Sequence, residues 1–120
     1  MILFKIAATD GKLDVLEWGD DSGYDLKHLL NEDTIAGTAL NGHLAVVQYL
    51  RTLGVSWNSG TCTNAALNGH IELLKWAWVN GCPWDEWTCA NAAGNGHLEF
   101  LKWARVNGCP WDDRTYVMEN

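Results

Sequence analysis

Basic residues are scarce: eight Lys and Arg stand against 15 Asp and Glu, for a formal net charge of −7. Phosphate backbones are gripped by clustered cations, and eight scattered ones form no such footprint, which argues against nucleic acid. An acidic surface favours a neutral or basic partner instead. Long apolar runs are also missing. None approaches the roughly 18 residues that a membrane helix needs, and Met1-Ile2-Leu3-Phe4 is followed by no hydrophobic signal segment, so neither membrane insertion nor secretion is expected. The four Cys and four His include no Cys-x-x-Cys or His-x-x-x-His spacing, which removes the usual zinc frameworks. Glycines occur singly, so no phosphate-cradling loop is present, and the expectation is of no metal and no cofactor.

What the chain does contain is a repeat. Asn-Gly-His recurs at 41–43, 68–70 and 95–97, each time 27 residues on. Trp57, Trp84 and Trp111 keep the same period, as do Cys62 with Cys89, Cys82 with Cys109, Trp76 with Trp103, and Ala65-Ala66 with Ala92-Ala93. A diverged first copy surrounds Gly11 and puts Trp18 in the column of Tyr49, Trp76 and Trp103. The first connection carries about four extra residues within Gly19 to Asn31, expected to be the one irregular loop. The units fall at approximately 1–24, 32–57, 58–84 and 85–111, with a partial fifth at 112–120, all within one domain of 120 residues.

Each unit divides into two helices. Asp85 is a plausible N-cap for a short helix through Ala92-Ala93, and Asn95-Gly96 breaks it. From His97 to Val106 apolar residues recur at helical spacing, until Asn107-Gly108 and Pro110 stop the second helix. Val15-Leu16, Val46-Val47, Leu73-Leu74 and Phe100-Leu101 should form the core, with the small pairs Thr38-Ala39, Ala65-Ala66 and Ala92-Ala93 letting helices approach closely.

The stretch Ala92-Ala93-Gly94-Asn95-Gly96-His97-Leu98-Glu99 resembles the ankyrin-repeat family, and the resemblance runs over nearly the whole chain. Two departures stand out. The period is 27 against about 33 in that family, and Trp87-Thr88-Cys89-Ala90 replaces the Thr-Pro-Leu-His opening. The missing residues fall where ankyrins project a β-hairpin finger. The resemblance therefore implies an all-α helix-turn-helix repeat solenoid of about four helix pairs plus a partial fifth, with little or no β-hairpin.

Function follows by weighing each recurring residue. His43, His70 and His97 share one column, and a base needed in one cleft has no reason to repeat; a bond to the backbone of the adjacent turn explains them better. His28 reads as a surface histidine. Cysteines 27 apart sit on neighbouring units about 8 to 10 Å apart, too far to bridge, while a bond between a helix cysteine and a loop cysteine stays open. Reduced, buried thiols are the main expectation, and with them the cytoplasm or another reducing compartment. Trp57, Trp84 and Trp111 either close the turns over the core or form an exposed ladder, whereas Trp18, Trp76 and Trp103 should be structural. No catalytic residue emerges, and the expected function is a scaffold that holds a protein partner. The resemblance places variable outward positions at Glu86, Trp87, Asn91 and Asn95, with Thr61, Asn64, Asn68 and Asn41 as equivalents. Trp78, unmatched in other units, joins Trp87 as a candidate anchor. The apolar opening Met1-Ile2-Leu3-Phe4-Lys5-Ile6 suggests an alternative, a subunit built permanently into an assembly through its end faces, or end-to-end self-association.

Overall fold

Three caps spaced 27 residues apart start three successive first helices. Asn31 and Asp85 each form a reciprocal capping box, with Thr34 and Thr88 respectively, and the Asn58 side chain accepts from the Gly60 N–H at 2.9 Å. Each such cap satisfies donors that an open helix end would leave unpaired, worth about 1 kcal/mol.

The computed structural model describes residues 2–109. Its helices are α1 (Ile2–Thr9), α2 (Leu13–Asp21), α3 (Leu26–Leu29), α4 (Glu32–Leu40), α5 (Leu44–Leu53), α6 (Ser59–Leu67), α7 (Ile71–Val79), α8 (Glu86–Gly94) and α9 (Leu98–Val106). Among the described residues there is no strand, so the fold is all-α. The first helices α1, α4, α6 and α8 touch in succession, and each packs against its own second helix, α2, α5, α7 or α9. The described chain measures 51 × 21 × 18 Å. The partial fifth unit at 112–120 and Trp111 lie outside the described residues.

The core runs along this row. Leu16, Val46, Val47, Leu73, Leu74, Phe100 and Leu101 are buried as the periodicity predicts, and Val15 is half-buried. Opposite them, Thr38, Ala39, Ala65, Ala66, Ala92 and Ala93 are buried small side chains that bring the helices together. With Ala66 fully covered, Ala66→Leu has no space to enter. It should destabilise the fold by about 1 to 3 kcal/mol, read as a lower urea midpoint.

Three expectations need correction. The segment from Gly19 to Asn31 is not one irregular loop: Gly19 continues α2, and Leu26–Leu29 forms the short α3 because Leu26 and Leu30 are buried against the core. Trp18 does not share the partial burial of Tyr49, Trp76 and Trp103 but is 55% exposed. Its helix belongs to the end pair, so one flank has no neighbouring second helix among the described residues, and Trp18 rests instead on Phe4 and Tyr24.

The third concerns the cysteines. Cys89 of α8 and Cys109 after α9 are joined by a disulfide, their Cα atoms 6.5 Å apart. The Cys109 N–H returns to the Ala104 carbonyl at 2.9 Å, and this turn carries its sulfur back to the first helix of the same unit. Disulfides persist in oxidising surroundings, so this bond overturns the assignment to the cytoplasm or another reducing compartment.

Candidate partner-binding surface

The repeated polar residues mainly join one unit to the one before. The Asn41 amide donates to the Thr9 carbonyl at 2.9 Å, Asn68 to Leu40 at 2.8 Å, and Asn95 to Leu67 at 2.7 Å. A second line of bonds runs from Asn64 to the Ala36 carbonyl at 3.0 Å and from Asn91 to Thr63 at 3.4 Å. These five candidate residues thus direct their amides into the stack. The histidines act in the same direction. His70 Nε2 donates to the Leu40 carbonyl at 3.0 Å, which lies in the preceding unit rather than in the turn beside it.

That histidine column explains the glycine column. A Cβ built on Gly42 would lie 2.5 Å from the His70 ring; on Gly11 it would meet His43 at 2.5 Å, and on Gly69 it would meet His97 at 2.6 Å. The same glycines hold left-handed φ of +73° to +76°. One residue type therefore answers both demands, a positive φ and a flat seat for the next unit's imidazole.

Glu86 and Trp87 are placed differently. Both lie in the first turn of α8 and are exposed, Trp87 by 46%, while the Trp87 N–H is held by the Asp85 carboxylate at 3.0 Å. The equivalent positions are Glu32-Asp33 on α4 and Ser59-Gly60 on α6, so this edge changes character from unit to unit. Its parts are tied together, since the Asn58 amide donates to Glu32 at 2.9 Å and the Thr63 hydroxyl to Asp85 at 3.2 Å. Thr61, further along α6, is buried.

Trp78 has a partner inside the fold. It stacks on Trp84 with centroids 3.9 Å apart and planes 12° from parallel. One unit earlier its column holds Arg51, whose guanidinium lies 4.3 Å over the Trp57 ring and donates to the Val55 carbonyl at 2.7 Å. Both residues plate the turn tryptophan six positions on. Trp84 is buried and Trp57 half-buried, so these turns close over the core, as one of the two expected arrangements had it. Beside Arg51 and Trp57, a shallow cleft is completed by Gln48, Thr52, Trp76 and Asn80. Sequence reasoning missed it because Arg51 and Trp78 share a column but not a residue type.

Two further contacts bear on the electrostatics. Tyr49 of α5 has its hydroxyl pKa raised by partial burial and then by the Asp20 carboxylate of α2, with which it hydrogen-bonds. His28 pairs with Asp25 on the surface beside α3. Among the described residues no three His, Cys, Asp or Glu side chains converge as metal ligands, and no helix is long and apolar enough to cross a membrane. No family model matches the chain, and no curated protein is significantly similar to it in sequence.

Proposed function

We propose that the chain is an ankyrin-like repeat module that holds a neutral or basic protein segment along the starts of its first helices. The observation that carries this reading is the division of labour within each unit. Recurring Asn, Gly and His residues join unit to unit, whereas the exposed first turns vary: Glu32-Asp33, Ser59-Gly60 and Glu86-Trp87. A scaffold that repeats its joints and diversifies one edge suits recognition. Carboxylates at Glu32, Asp33 and Glu86 favour a cationic segment, and Trp87 offers the large aromatic surface typical of interface anchors.

Selection of displayed peptides on the full chain tests this. Enrichment of Lys- or Arg-bearing sequences is expected, with Trp87→Ala or Glu86→Lys weakening the winners at least about tenfold. Peptides indifferent to both substitutions would refute the assignment of this edge.

A second reading, a subunit fixed in an assembly by its end face, is favoured by one observation. Ile2, Leu3 and Ile6 of α1 are 73%, 51% and 52% exposed. Light scattering over a range of concentrations separates the two readings: a monomer of 13.3 kDa supports the edge, and a dimer or growing polymer supports the end face.

A further inference from the structure

Cys62 and Cys82 stand one 27-residue period before Cys89 and Cys109, with the same separation of 20. Cys62 lies in α6 as Cys89 lies in α8, and Cys82 follows α7 as Cys109 follows α9. The chain also returns identically: the Cys82 N–H reaches the Ala77 carbonyl at 2.9 Å, as Cys109 reaches Ala104. Both sulfurs are fully buried and hydrogen-bond one another, while the Cys82 thiol donates to the Asn58 carbonyl at 3.3 Å. One such pair is closed and its counterpart is a dithiol in the same setting.

We propose that Cys62 and Cys82 are a second oxidation site, closed to a disulfide by a low-molecular-weight disulfide such as oxidised glutathione. The exchange is balanced. The Cys82 thiolate attacks one glutathione sulfur and expels a glutathione thiolate, leaving a mixed disulfide. Cys62 gives up its proton and attacks the Cys82 sulfur, displacing the second glutathione. The protein loses two hydrogens and the oxidant becomes two thiols. The order follows from the hydrogen bond between them: as its donor Cys62 is held protonated, with burial adding to the effect, whereas the acceptor Cys82 is drawn towards thiolate. Burial excludes the oxidant from the closed fold, so the exchange takes place while α7 is undocked.

Refolding the fully reduced chain in a mixture of reduced and oxidised glutathione tests this, with acid quenching, alkylation of free thiols, intact mass and peptide mapping. The expected product takes up no alkylating reagent, and yields linked peptides for Cys62–Cys82 and Cys89–Cys109. A product with Cys89–Cys109 closed and both Cys62 and Cys82 alkylated would overturn the proposal, as would pairing between units or four free thiols. The Cys82→Ser variant guards against a misfolding artefact: it should keep Cys89–Cys109 and expose one alkylatable thiol, Cys62. Transfer of Cys62 to another sulfur would show that its pairing is indiscriminate and sink the assignment.

Discussion

Gly42→Ala is expected to lower the stability of the fold by about 3 kcal/mol, read from urea unfolding, although it adds a single methyl group. Two effects combine. The backbone at Gly42 has φ +76°, where a side chain is strained, and the new Cβ meets the His70 ring at 2.5 Å. The ring has little room to yield, since its Nε2 is bonded to the Leu40 carbonyl. Gly96 provides an internal control. Its φ is +73°, but among the described residues nothing lies within 4 Å of an added Cβ. Gly96→Ala should therefore carry only the backbone part, about 1 to 2 kcal/mol. Equal losses at the two positions would show that the histidine seat contributes nothing. A double-mutant cycle adds a second check: His70→Ala should be less damaging in the Gly42→Ala background than in the wild type.

The second large effect belongs to the disulfide. Replacing Cys89 and Cys109 together by alanine should lower stability by about 3 kcal/mol, through restored freedom of the unfolded chain, and Tm by about 10 °C. Thermal unfolding without reductant measures it. With a phosphine reductant, wild type and variant should converge. A gap that survives reduction would assign the loss to packing at the buried Cys89 site instead of to the covalent bond.

The sequence makes the repeat visible because each unit solves the same local problems. Asn-Gly-His marks every junction between first and second helices, and paired apolar residues such as Leu73-Leu74 mark the buried face. Periodicity identifies a position that recurs, but it does not say which neighbour that position serves. The asparagines at 41, 64, 68, 91 and 95 accordingly looked outward on family resemblance, yet their amides turn to carbonyls of the preceding unit. Glu86 and Trp87 were legible as exposed because they break the pattern instead of keeping it. The disulfide was hidden for a related reason. Matching Cys62 with Cys89 and Cys82 with Cys109 draws the eye along the columns, while the bond lies across them, inside one unit. Nor could a period reveal α3, which occurs once and is held by Leu26 and Leu30.

The imidazole seat gives the row a direction. Each unit presents a notch where a glycine lacks its side chain, and the following unit brings the ring that fills it. Every such joint from Gly11 to His97 uses the same mating surfaces, so a gain or loss of 27 residues rejoins a notch to a ring of the kind it already met. Changes in length by any other step would leave a ring over backbone or a notch over solvent. Arrays built this way can lengthen or shorten by unequal genetic exchange without any joint having to be reinvented.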